Sequence, residues 1–155
     1  MLTRIIVVYE SVFGNTERVA ETIGEGMKEI EGTEVVVKKT KDVEPGEVLN
    51  YDVILIGSPN HMGGPTRSVK KLIDALGKLG LEGKKGAVFD TYVRSYVGKA
   101  VRKMEKRINE KVPGLKLIAD GLSTKVVGLG RGHVAENELP RCVEFGSKIA
   151  KQMIS

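Results

Sequence analysis

The sequence predicts an α/β domain built on a doubly wound parallel sheet of five strands, order 2-1-3-4-5, with helices on both faces. Two observations predict it. Short apolar, β-branched runs recur at 4–9, 34–39, 52–57, 85–90 and 115–119. Between most of them lie stretches whose apolar residues repeat at helical spacing. Such alternation gives right-handed crossovers and a sheet covered on both faces. The length, 155 residues, suits a single domain, 1–155.

Each element has its own signal. Ile5-Ile-Val-Val8 is continuous and β-branched, as in a strand buried on both faces. Val19, Ala20, Ile23, Met27 and Ile30 place an amphipathic helix over 16–30, ended by Gly32. Residues 34–39 form the second strand, and 42–51, with Pro45-Gly46, a connector holding one helical turn. The run 52–57 is the third strand. Val69, Leu72, Ile73, Leu76 and Leu79 mark the next helix, with Gly80 and Gly83 at its turn. Residues 85–90 are the fourth strand. A helix follows with Val101, Met104, Ile108 and Val112 on one side, stopped by Pro113-Gly114. The fifth strand is placed at 115–119. The glycine-rich stretch 120–136, including Gly128-Leu-Gly-Arg-Gly132, reads mostly as loop, with a short strand at 125–127. The last helix starts near Glu138 with Pro140 in its first turn.

Composition narrows the function. No apolar run is long enough for a membrane span, and the N-terminus lacks the pattern of a signal peptide, so a cytoplasmic location is expected. The single cysteine, Cys142, reads as a buried helix residue. His61, His133 and Cys142 are isolated and have no metal-ligand spacing. The net charge is +5. Its cations read as scattered over solvated helix faces with acids between them, which argues against a nucleic-acid partner. The cluster at 99–111 is a candidate docking patch. Scarce Gln beside abundant Lys and Glu hints at a hot environment.

In an open parallel sheet, ligands bind at the carboxyl ends of the strands where the strand order reverses. Here that is between strands one and three, which brings three loops together. The first is Glu10-Ser11-Val12-Phe13-Gly14-Asn15-Thr16. A hydroxyl-rich loop opening a helix suits a phosphate dianion, and Gly14 lets the backbone close around it. An ordinary helix cap at Asn15 or Thr16 is the competing reading. The loop has neither the spacing of a triphosphate-binding loop nor that of a dinucleotide fingerprint. The second loop is Ser58-Pro59-Asn60-His61-Met62-Gly63-Gly64, whose glycines allow close approach to a flat ligand. Its His61 and Met62 read equally well as an exposed loop histidine and a packing residue. The third is Asp90-Thr91-Tyr92-Val93-Arg94-Ser95-Tyr96, where two of the four tyrosines could stack on a conjugated ring or pack over a helix end.

These residues carry a family resemblance that spans essentially the whole chain. Ser11, Gly14 and Thr16 are similar to the phosphate loop of flavodoxins, Ser/Thr-x-Thr-Gly-x-Thr, with Phe13 where Thr is usual. Gly57-Ser-Pro-Asn60 and Phe89–Ala100 resemble the two loops that hold the flavin ring, and Asp120-Gly-Leu122 resembles the end of the last strand in short-chain flavodoxins. The flavodoxin domains of flavodiiron proteins look most similar. The resemblance implies FMN as cofactor and electron transfer between a reductase and an acceptor protein. It also implies that the backbone at His61-Met62-Gly63 faces flavin N5 and that Tyr92 or Tyr96 stacks on the ring, although the usual stacking position falls near Val93. Family members are usually acidic and this chain is basic, so its partners are expected to differ.

No nucleophile or general base stands out, so an electron carrier is the first reading and no catalytic residue is assigned. An FMN-dependent NAD(P)H:quinone oxidoreductase of the same fold is the alternative, disfavoured by the short chain. A flavin-free module is a third. A phospho-receiver is disfavoured, since Tyr9-Glu10-Ser11 stands where paired acids are needed. Nothing in the sequence sets the oligomeric state.

Overall fold

Strand-period and helix-period segments alternate through residues 2–128 and 132–154, which the computed structural model describes. Residues 129–131, inside the expected 128–132 loop, lie outside the described residues. In chain order the elements are β1 (Thr3–Tyr9), α1 (Asn15–Lys28), β2 (Thr33–Lys39), β3 (Val53–Pro59), α2 (Arg67–Leu76) and β4 (Lys85–Tyr92). There follow α3 (Lys99–Lys111), β5 (Lys116–Leu117), β6 (Leu122–Val127), β7 (His133–Val134) and α4 (Leu139–Ile154). A 3-10 turn at Pro45–Asn50 occupies the expected connector.

The sheet runs β2-β1-β3-β4-β6-β7, with β5 also beside β4. The pairs β2-β1, β1-β3 and β3-β4 are all parallel, so the order 2-1-3-4 stands as expected. The fifth place differs in detail. Lys85 and Gly86 pair with Lys116 and Leu117, and Phe89–Tyr92 pair with Leu122–Lys125. Between them, residues 118–121 stand opposite only Ala87 and Val88, so the fifth strand bulges and divides. Most of it therefore lies within 120–136, expected to be mainly loop. The physical reason is burial. In β6 the side chains of Leu122, Thr124 and Val126 are buried and those between are more exposed, so the segment alternates where a central strand is continuously apolar. Its outer edge is closed by β7, which pairs antiparallel through Val126 with Val134.

Alternate residues of the central strands feed two cores. Ile6, Val8, Ile54, Ile56 and Val88 pack against Leu72, Ile73 and Leu76 of α2 and Val101, Met104 and Ile108 of α3. Ile5, Val7, Val53, Leu55 and Phe89 pack against Val19, Ile23 and Met27 of α1 and Cys142, Ile149 and Ala150 of α4. Burial pushes the Cys142 thiol up to about 12, which leaves it a packing residue.

The second layer depends on two glycines at the α1–α4 crossing. A Cβ on Gly26 would stand 2.2 Å from the Val143 carbonyl oxygen, and one on Gly146 would stand 2.1 Å from that of Ile23. These are backbone atoms of the partner helix, so only a shift of a whole helix would relieve the clash. Gly46, by contrast, has open space around it. Gly146→Val is expected to lower stability by about 2–3 kcal/mol in urea unfolding, while Gly46→Ala changes it by less than about 0.5 kcal/mol. Equal effects at the two positions would show that the helices move freely past each other.

Candidate functional site at the carboxyl edge of the sheet

β1 and β3 are neighbours, but the chain leaves β1 for α1 on one face and β3 for α2 on the other. The gap between these exits is a cleft of about 300 Å³, at the lower end of the roughly 300–1,000 Å³ usual for small-molecule sites. Ser11, Val12, Phe13, Asn15 and Thr16 line it from the first loop, Pro59, Asn60 and His61 from the second, and Thr91, Tyr92 and Val93 from the third, with Val126 of β6. The cleft is thus formed by the three loops that the strand order brings together. Among the described residues, no acidic side chain, lysine or arginine is in its lining.

At one end stands the N-terminus of α1. Gly14 is its N-cap, with φ 90°, a left-handed conformation open to glycine at little cost. Neither Asn15 nor Thr16 is the cap. The Ser11 hydroxyl accepts from Gly14 N–H at 3.0 Å and from Glu17 N–H at 3.3 Å. The Thr16 hydroxyl, buried, meets that of Thr91 at 2.9 Å and so joins the first loop to the third. Glu10 points elsewhere: its carboxylate accepts from Ser68 Oγ at 2.5 Å and Thr40 Oγ1 at 3.1 Å, joining the end of β1 to the start of α2.

The second loop is held by its own polar groups. Ser58 Oγ is buried, accepts from Thr66 N–H at 3.0 Å and donates to the Pro59 carbonyl at 2.8 Å. Asn60 joins it to the third loop. Its backbone N–H and its side-chain Nδ2 both donate to the Thr91 carbonyl at 3.1 Å, and its Oδ1 accepts from Ala100 N–H at 2.9 Å. Residues 61–64 form a tight turn in which His61 N–H donates to the Gly64 carbonyl at 2.7 Å and Gly64 N–H returns to His61 at 3.3 Å. Its central residues, Met62 and Gly63, have φ of 55° and 79°, as a type I′ turn requires. Met62 at its tip is 91% exposed.

The third loop turns at Val93–Tyr96, where Tyr96 N–H donates to the Val93 carbonyl at 3.3 Å and Arg94 has φ 56°. Tyr96 lies against Gly63, 3.6 Å from its ideal Cβ position, under the Lys99 ammonium at 5.1 Å from the ring centroid. Asp90 is completely buried behind the cleft. Its Oδ2 accepts from Val101 N–H at 3.0 Å and its Oδ1 from Ser123 Oγ at 2.5 Å, so it fixes the start of α3 against β6. Burial pushes its carboxyl above the usual carboxylate range, opposed by these hydrogen bonds.

Of the residues singled out from sequence, Ser11, Val12, Phe13, Asn15, Thr16, Pro59, Asn60, His61, Thr91 and Tyr92 share the cleft. Glu10, Gly14, Ser58, Met62, Gly63, Gly64, Asp90, Arg94 and Tyr96 shape or surround it without lining it. Val126 was missed. Its signal was the alternation of 122–127, which makes that stretch a strand whose end reaches the cleft.

A cleft at the reversal of strand order, with a helix N-terminus at one end and apolar walls, places the chain in the doubly wound α/β class, whose ligands bind at that point. A flavodoxin sequence profile matches residues 7–146, and the chain belongs to the flavodoxin family. Its cofactor is FMN, and its function is electron transfer. A flavodoxin from the domain Archaea superposes with TM-score 0.84 at 27% identity, covering 99% of this chain and all of that one. A flavodiiron core from Synechocystis superposes with TM-score 0.80 at 19% identity over 97% of this chain and 36% of that one, a likeness of fold alone. An NAD(P)H dehydrogenase (quinone) from Archaeoglobus fulgidus is 32% identical over 63% of this chain, and the match spans 66% of that relative's length.

The residues fit FMN. Hydroxyls and an amide gather where a helix dipole favours an anion, and the apolar walls suit a flat ring. The raised carboxyl of Asp90 has a consequence for stability. The folded state holds this proton more tightly than the unfolded chain, so the contribution of Asp90 is full below about pH 4 and falls as pH rises through the raised folded value. Asp90→Asn is expected to remove that slope: urea unfolding from pH 4 to 7 would show the variant gaining on the wild type as pH rises. A constant difference across that range would mean that Asp90 titrates normally.

Proposed function

We propose that residues 1–155 form one flavodoxin domain that carries low-potential electrons in the cytoplasm from a reductase to an acceptor protein, with FMN in the cleft described above. The observation that carries this reading is the meeting of the α1 N-terminus with the Asn60–Thr91 junction across a cleft whose described lining is mostly apolar, with hydroxyls and amides gathered at the helix end. When bound, FMN accepts and donates electrons singly or in pairs. The chain holds and orients it.

In this reading Ser11, Asn15 and Thr16, with the first amides of α1, hold the phosphate. The helix dipole and the hydroxyls offset its charge. Pro59, Asn60, His61 and the turn through Met62, Gly63 and Gly64 border one side of the ring, and Tyr92 and Val93 the other. Thr91 and Asn60 keep the two ring loops at a fixed distance. Gly14, Ser58, Asp90, Glu10, Arg94 and Tyr96 act as positioning residues for these loops. No side chain in the lining is placed as a nucleophile. The second reading, an NAD(P)H:quinone oxidoreductase, is favoured by the Archaeoglobus relative.

The test is an FMN titration of the purified protein followed by stepwise reduction. Flavin absorption with quenched fluorescence is expected, together with slow bleaching by NADPH alone. Rapid bleaching by NADPH with quinone turnover would establish the second reading, and no binding at micromolar FMN would refute both. Ser11→Ala is expected to weaken FMN about tenfold, a hydrogen bond to a charged group, and to leave riboflavin, which lacks the phosphate, unchanged. Equal loss for both ligands would move Ser11 away from the phosphate.

A further inference from the structure

We propose that the face formed by α2 and α3 docks an acidic electron-transfer protein beside the cleft. This rests on the electron-carrier reading and names the partner's chemistry. The sequence alone marked the 99–111 cluster as a candidate docking patch among otherwise scattered cations, and the structure sets the cations of α2 beside it. Helices α2 and α3 carry nine basic and three acidic residues, whereas the rest of the chain carries sixteen and seventeen. The net positive charge of the molecule therefore resides on two helices that cover the same face of the sheet.

One acid on this face, Asp74, is ion-paired, and it takes up two of the nine cations. Asp74 is held by Arg107 through two hydrogen bonds of 2.8 and 2.7 Å, with Lys111 at 3.5 Å, and Glu105 accepts from Gly121 N–H at 3.2 Å. Among the described residues, Lys70, Lys71, Lys99, Arg102, Lys103 and Lys106 take part in no ion pair. The basic face also reaches the cleft. The Lys103 side chain passes 3.3 Å from the ideal Cβ position of Gly64, and that of Lys99 3.5 Å from that of Gly63. From there α3 runs back for about 20 Å.

Apolar side chains accompany the charge. Val12, Phe13, Met62 and Val97, on the loops around the cleft, are each more than half exposed. A small apolar centre bordered by cations is the anatomy of a protein–protein contact, and electron-transfer encounters use such small interfaces. A nucleic-acid backbone would engage the cations and leave these four side chains unused. Opposite charge steers the partner and raises the association rate, and the electron then crosses at the cleft.

The test uses the FMN-loaded protein, a photoreduced acidic [2Fe–2S] ferredoxin as electron donor, and reduced basic cytochrome c as a counter-probe for binding. In stopped flow, the rate from ferredoxin should fall about tenfold between about 20 and 300 mM salt. The double variant Lys70→Glu/Lys106→Glu, at exposed positions of α2 and α3 away from the cleft loops, should lose about tenfold at low salt and become nearly salt-independent, with FMN affinity unchanged. Cytochrome c should show no binding to the wild type at low salt. Amide NMR shifts of α2 and α3 on adding oxidised ferredoxin read docking without flavin, so failure to bind FMN would refute the carrier reading while docking is still judged. The proposal is overturned if the reversal leaves both rate and shifts unchanged. It is also overturned if near-physiological salt leaves tight, charge-dependent binding only to duplex DNA or to phosphatidylserine vesicles.

Discussion

Everything at the functional edge depends on β1 lying between β2 and β3. Because the sheet is parallel and its crossovers are right-handed, the chain must leave β1 and β3 towards opposite faces. The two exits cannot pack against each other, and the space they leave is the cleft. The apolar side chains of β1 and β3 fix this arrangement, since they are buried on both faces and a slip in register would bring mismatched residues into both cores. The site is thus a consequence of strand order before any side chain in it is considered.

A gap alone does not bind, and a second level of interactions gives it shape. Asn60 joins the second loop to the third, Thr16 joins the first to the third, Glu10 joins the end of β1 to the start of α2, and Asp90 fixes the start of α3. These groups are polar and buried or partly buried, and every buried side-chain polar atom among the described residues has a partner. Such satisfied networks hold loops without a large apolar core at the sheet edge. Of these four, Thr16 and Asn60 also line the cleft, whereas Glu10 and Asp90 lie outside its lining.

The legible part of the fold was the part governed by local patterning. Ile5–Val8 and Val53–Ile56 are buried on both faces, so their continuous apolar character announces a central strand. The residues 122–127 are buried on one side only, and their weaker alternation was absorbed into a glycine-rich stretch. In the site, the first loop was readable because a helix start with hydroxyls is a local feature. Val126 was not, because its place in the cleft depends on pairing between β4 and β6 across more than thirty residues of chain.

The sequence by itself determined the alternation of elements through β4 and the family, since each rests on periodicity or on motifs within a few neighbouring residues, whereas the division of the fifth strand depends on long-range pairing. Tertiary structure decided which polar residues line the cleft and which brace it, as with Asn60 and Asp90, whose partners lie on other elements. It also decided where the charge lies. The 99–111 cluster is visible in the sequence, but the cations of α2 join it only because α2 and α3 cover the same face of the sheet, and only the path of the backbone makes them neighbours.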